Sequence, residues 1–161
     1  MALDMFIKID GIKGESTDDK HKDEIDVLSW SWGMSQAAAA GTGAGAGSGK
    51  VSIRDLTITK RTDVATPKLM LSCCTGSHIR EATLTVRKAG GARPQDFLSY
   101  KLSDILVTSV GDAVNGGDQY ITEQVTLNFA KVELNYSRQK PDGTLEAPQQ
   151  FKWDIKANKT Y

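Results

Sequence analysis

Two histidines and two cysteines are the residues from which nucleophilic chemistry would have to be built. Cys73 and Cys74 are neighbours in sequence, which disfavours a disulfide between them, and no second pair completes a zinc site. Both are expected to be free thiols packed in the core, where cysteine is commonly found. His78 stands four residues beyond Cys74, so a thiol–imidazole pair is conceivable; a histidine bonding to the last carbonyls of a helix is the plainer reading. His21 lies in a charged run and reads as a solvated turn residue. The acids of that run, Asp18, Asp19, Asp23, Glu24 and Asp26, lack calcium-loop spacing, and Lys20 and Lys22 balance them, so a solvated loop is expected there.

The glycine-rich stretch 36–50 invites a phosphate-binding reading and fails it. A P-loop demands Gly at the position of Ala44 and Ser or Thr at that of Val51, and no Gly-x-Gly-x-x-Gly register fits Gly41, Gly43, Gly45, Gly47 and Gly49. No catalytic residue, metal ligand set or cofactor is therefore expected, and the chain reads as a non-enzyme.

Lys plus Arg equals Asp plus Glu at 20 each, so the chain lacks the basic footprint that nucleic acid binding needs, and neutrality permits self-association. Its 161 residues suit one domain with a single core. The opening Met1-Ala2-Leu3-Asp4 carries an acid where a secretory signal would carry bases, so no Sec-type signal is expected. Apolar stretches are too short for membrane insertion, which takes about 20 apolar residues.

Period-two alternation dominates the chain. Leu3, Met5, Ile7 and Ile9 share one face of a first strand. A second is expected over 24–34, with Leu28, Trp30 and Trp32 on the core side and Val27, Ser29, Ser31 and Gly33 opposite. A third, over 50–61, changes phase between Ile53 and Leu56, which suggests a β-bulge. Ala82, Leu84 and Val86 mark a fourth and 97–110 a fifth, separated by a turn at Ala89-Gly90-Gly91. Over 119–139 the buried face passes from Val125, Leu127 and Phe129 to Val132, Leu134 and Tyr136, as a strand turning a corner between two sheets requires. Phe151, Trp153 and Ile155 close the chain after a Pro141-Asp142-Gly143 turn.

One helix is expected, with Thr66 as N-cap, Pro67 at the first helical position and Gly76 as its stop, packed over an end or face of the sheet. The stretch 36–50 has no bulky side chain for a core of its own. It reads either as a loop that orders on assembly or as a floppy connection.

Several motifs together carry a family resemblance: Met5-Phe6-Ile7-Lys8-Ile9-Asp10-Gly11-Ile12-Lys13-Gly14, Val27-Leu28-Ser29-Trp30-Ser31-Trp32-Gly33, Thr66-Pro67-Lys68-Leu69-Met70-Leu71, Tyr100-Lys101-Leu102-Ser103-Asp104-Ile105-Leu106 and Val125-Thr126-Leu127-Asn128-Phe129. Through them nearly the whole chain resembles the haemolysin-coregulated (Hcp) tube proteins of type VI secretion systems. The resemblance implies a mainly β fold, a two-sheet antiparallel β-barrel with one flanking helix, assembled as a hexameric ring. It further implies stacked rings forming a hollow tube within a contractile sheath, a spike protein at the tip, and small effector proteins in the lumen. Such a protein is made in the bacterial cytoplasm and secreted without a Sec-type signal. The loop after the second strand, here Gln36, Gly41, Gly43, Gly45, Gly47, Gly49 and Lys50, is expected to contact neighbouring subunits. From alternation, Ser29 and Ser31 are expected to face the lumen and its cargo. A small β-sandwich module binding carbohydrate or protein is the alternative reading.

Overall fold

Alternation of apolar and small polar residues sets nearly every strand of the computed structural model, which describes residues 2–37, 50–89 and 94–161. The elements run β1 (Leu3–Ile9), β2 (Ile25–Asp26), β3 (Ser29–Ser31), β4 (Met34–Ser35), β5 (Ser52–Ile53), β6 (Leu56–Arg61), α1 (Thr66–Thr75), β7 (Ile79–Lys88), β8 (Asp96–Ala113), β9 (Thr122–Tyr136) and β10 (Gln149–Asp154). Eight strands form one antiparallel sheet in the order β2-β1-β7-β8-β9-β6-β3, with β10 also on β9, while β4 and β5 form a separate two-stranded arm. The fold is thus mainly β with a single short helix.

The sheet is curled, and its bend is written in three strands at once. Buried residues step by three instead of two from Ile79 to Ala82 in β7, from Leu102 to Ile105 in β8 and from Phe129 to Val132 in β9. Arg80, Asp104 and Ala130 lie in that step, flanked by the pairs Ile79–Ile105 and Glu81–Ser103 on one side and Ser103–Lys131 and Ile105–Phe129 on the other. A one-residue slip exchanges the inward and outward faces, so the strands turn a corner there. Asp104 takes a φ of 56°, a left-handed conformation that short polar residues tolerate better than most. The slip expected in the long sixth strand is present, and it is shared by two neighbours.

The expected second strand is broken instead of continuous. Val27 N–H donates to Met5 O at 2.9 Å, and Leu28 N–H donates to Thr59 O at 2.8 Å, so the chain leaves β1 and joins β6 between adjacent residues. That transfer reverses the assignment made from alternation: Val27 is buried and Leu28 is 42% exposed. It also places the two ends of the sheet on one short segment. The phase change expected between Ile53 and Leu56 is likewise a break, separating β5 in the arm from β6 in the sheet.

Inward residues of both halves, among them Ile7, Ile25, Ile58, Leu84, Leu102, Leu127 and Val132, make one core with Ala65 before α1 and Leu69 within it. The helix packs against β8 and spans Thr66–Thr75. Its N-cap is Ala65, without a side-chain bond, and not Thr66, which is the first helical residue. Gly76 ends it at φ 64°, its N–H donating to Ser72 O. Cys73 packs against the core, whereas Cys74 is exposed, contrary to the expectation for the pair. After β9 the chain turns at Pro141-Asp142-Gly143, with Lys140 N–H donating to Thr144 O at 2.7 Å. The turn expected at Ala89-Gly90-Gly91 lies partly outside the described residues, which stop at Ala89 and resume at Pro94.

Candidate assembly and cargo surfaces

Outward residues of β3, β6, β9 and β8 make a polar plate on the first half of the sheet. One row reads Ser31, Thr57, Thr126, Ser109 and the next Ser29, Thr59, Gln124, Gly111, by the strand registers. None of these eight residues is charged, although a quarter of the chain is Asp, Glu, Lys or Arg. Charge returns only at the ends, with Arg61 in the row beyond Thr59 and Asp55 next to Asn128. Ser29 and Ser31 are exposed on this plate, while Trp30 between them points inward and meets the edge of Tyr100 at 5.0 Å. Trp32 follows it inward, 5.5 Å from Tyr100 and 6.2 Å from Phe129. Strand alternation thus fixes where the serines point by burying the tryptophans.

Both borders of the plate are strands that lack a second partner. Among the described strands β3 pairs only with β6, and residues 106–113 of β8 pair only with β9, because β7 begins at Ile79, opposite Ile105. Unpaired edges of this kind are templates for another chain.

The arm rises from the border next to β3. Arg54 N–H donates to Gly33 O at 3.0 Å and Trp32 Nε1 donates to Arg54 O at 2.8 Å. Met34, Gln36, Val51 and Ile53 then line a depression of about 290 Å³ against Phe151, Trp153 and Asn158. Gln36 and Lys50 are exposed at the two ends of the arm, whereas Gly41, Gly43, Gly45, Gly47 and Gly49 lie outside the described residues.

Two charged clusters hold the surfaces in shape. Lys60, fully buried, continues the inward face of Leu56 and Ile58, and its Nζ reaches Asp63 Oδ1 at 2.9 Å, Glu123 Oε1 at 3.0 Å and Thr66 Oγ1 at 3.3 Å. Burial, and next the facing Asp112 carboxyl, push Glu123 above the ordinary carboxylate range. Glu123 Oε2 is buried without a hydrogen-bond partner. Burial and the neighbouring Asp63 raise Asp26 as well.

On the second half of the sheet the loop 11–24 covers the outward residues Phe6, Thr85 and Arg87, all of them buried. Arg87 forks onto Asp18, with Nη1 donating to Oδ1 at 3.0 Å and Nη2 bonded to Oδ2, and reaches Asp4 Oδ2 at 3.3 Å. That guanidinium holds the Asp18 carboxyl down at about 2. Asp18 Oδ1 also accepts the N–H groups of Lys20 and His21. His21 is accordingly no solvated turn residue: it is buried, stacked on Phe6 at 4.4 Å, and bonded to Glu24 at 2.7 Å and Asp96 at 3.2 Å. His78 meets Asp104 Oδ1 at 2.8 Å through Nδ1 and not the helix carbonyls. Among the described residues no group of three or more His, Cys, Asp or Glu is placed to hold a metal ion. No helix among them is long and apolar enough to cross a membrane.

Comparison with known proteins agrees with this architecture over nearly the full chain. The profile of the family described as "Type VI secretion system effector, Hcp" matches residues 6–136. Protein hcp1 of Pseudomonas aeruginosa is 54% identical over 159 residues, covering 98% of each chain. A solved structure of a type six secretion system protein superposes with a TM-score of 0.92 at 29% identity, covering 99% of this chain and 100% of that one. The crystal structure of Hcp1 from Salmonella typhimurium gives a TM-score of 0.79 at 36% identity over 100% of both chains.

Proposed function

The chain belongs to the Hcp family of type VI secretion proteins, and on that premise we propose that it is a non-enzymatic subunit of the secretion tube. Six copies close into a ring, with the curled sheet of each subunit completing a two-sheet barrel, and rings stack into a hollow tube. A contractile sheath drives that tube outward behind a spike protein, and small effector proteins travel in its lumen. The subunit is made in the bacterial cytoplasm and leaves without a Sec-type signal.

The observation that carries this reading is the uncharged plate bordered by two unpaired strand edges. A head-to-tail contact repeated around a closed rotation makes a ring, and edge-to-edge contact between β3 of one copy and 106–113 of the next would turn each plate toward the axis. Short hydroxyl and amide side chains suit a wet channel that lets passengers through without gripping them. A stable contact buries about 1,600 Å² in total. The glycine-rich connection 36–50 is assigned to the contact between rings.

Negative-stain microscopy of the purified protein tests the ring, with six-fold annuli as the expected image. Ser31→Gln tests the lumen: rings should form as in the parent while lumenal effectors are lost from the exported fraction. Normal rings that export and retain every effector would remove Ser29 and Ser31 from the cargo surface.

A further inference from the structure

Asp55 sits where the chain passes from the arm into β6, and its carboxylate is shared between two other strands. Thr108 Oγ1 donates to Asp55 Oδ2 at 2.9 Å, with the Thr126 carbonyl at 3.1 Å as a second acceptor, and Asn128 Nδ2 donates to Asp55 Oδ1 at 2.9 Å. Thr108 is itself the extra residue of β8, since the register slips between Val107 and Ser109. A bulge of this kind re-aims a side chain, and here it brings a hydroxyl onto the start of β6. On the opposite strand of the arm, Gly33 and Trp32 bond to the main chain of Arg54, one residue from Asp55.

We propose that Asp55, acting through Thr108 and Asn128, is a positioning residue that fixes the angle at which the β4–β5 arm leaves the sheet, and thereby controls whether rings stack. The inference rests on the tube reading. Hydrogen bonds to a carboxylate are stronger than neutral ones, and this carboxylate ties β8 and β9 to one of the two segments that join the arm to the sheet. The depression that Met34 and Ile53 line with Phe151 and Trp153 flanks the far side of the arm, and its mainly apolar walls set no direction. The polar brace supplies the direction.

The test compares the parent with Asp55→Ala, Thr108→Val, Asn128→Ala and the exchanged pair Asp55→Asn with Asn128→Asp, in which donor and acceptor trade places. Amide hydrogen exchange of β4 and β5 reads the brace, and electron microscopy reads rings and stacks separately. Each single variant should form rings, exchange the arm amides faster by about tenfold or more, and give few or no stacks, because the seated arm then lacks one charge-assisted bond in Thr108→Val or Asn128→Ala and both in Asp55→Ala. The exchanged pair should recover both protection and stacking. Unchanged exchange, stacks of parental length in the single variants, or an exchanged pair no better than Asp55→Ala would each overturn the proposal. Should Asp55→Ala fail to fold, Thr108→Val and Asn128→Ala decide the outcome by the same two measurements. A parent that makes no rings would sink the tube reading, and arm exchange would still judge the brace.

Discussion

Lys60→Met removes the one ammonium buried among Glu123, Asp63 and Thr66 and leaves two carboxylates facing each other across the turn into α1. Both Lys60 and Glu123 are cut off from water, at 0% and 1% exposure. Breaking a buried ion pair by removing one partner costs about 3–5 kcal/mol, because the remaining charge is desolvated and unpaired. Glu123→Leu alone should cost less, about 1–2 kcal/mol, since Lys60 keeps Asp63 at 2.9 Å and Thr66 at 3.3 Å. The double variant Lys60→Met, Glu123→Leu removes both charges and continues the apolar faces of Leu56–Ile58 and Val125–Leu127. Asp63 is left with the Ala65 N–H at 2.9 Å and some access to water. A net cost of about 1 kcal/mol is then expected, so the two substitutions couple by roughly 3 kcal/mol or more.

Urea unfolding at a single protein concentration measures this, because association between subunits would otherwise shift apparent stability. Midpoints should fall steeply for Lys60→Met and recover in the double variant, with the slope unchanged. If Lys60→Met stays within about 1 kcal/mol of the parent, or the double variant is no better than it, the buried pair is not what fixes this end of the sheet.

Asp18, held at about 2 against an ordinary 3.8, gives stability that is complete above pH 3.8 and lost as pH falls through about 2. Asp18→Asn should therefore destabilise the protein at neutral pH by about 1 kcal/mol, since water screens this partly exposed pair, and the gap to the parent should close between pH 4 and 2 in acid unfolding curves; a gap constant to pH 2 would exclude the Arg87 fork as its source. Gly14→Ala would place a Cβ 2.5 Å from Glu24 O and 2.7 Å from Ile25 Cα, both main chain. It should loosen the loop 11–24 and expose Phe6 and His21, seen as faster exchange of the amides of His21 and Glu24 with those of β8 unchanged.

Alternation made much of the fold legible. The residue faces of β1, β7 and β9 and the stop of α1 at Gly76 follow from local pattern, because a half-buried strand and a glycine-terminated helix depend on near neighbours. The slip at Phe129–Val132 was equally visible, yet its partners in β7 and β8 were not, since register alone aligns Arg80, Asp104 and Ala130. Leu28 was misplaced because the chain passes from one end of the sheet to the other between it and Val27, an event with no sequence mark beyond the apolar pair itself. Lys60 and Glu123 stood in plain alternation with Ile58 and Val125; their charge disguised them as surface residues, and their pairing across β6 and β9, with Asp63 and Thr66 on the same ammonium, is what permits burial. His21 depended on Asp96, 75 residues away, and on a loop folding over Phe6.

The corner explains why the described chain covers one outward face and leaves the other bare. Beyond it, the outward residues of β1 and β7 include Phe6, Thr85 and Arg87, and the loop 11–24 closes over them, stacking His21 on the apolar Phe6 ring and pairing Asp18 with the Arg87 guanidinium. Before it, the outward rows are small hydroxyl and amide residues that need no cover, and no part of the described chain lies over them. The covered surface thus lies on β1 and β7, beyond the slip, and the uncovered plate on β3, β6 and the parts of β8 and β9 before it. Substitutions that lengthen or charge the plate should act on assembly and passengers while leaving the fold intact, and those at Phe6, Asp18 or Arg87 should do the reverse.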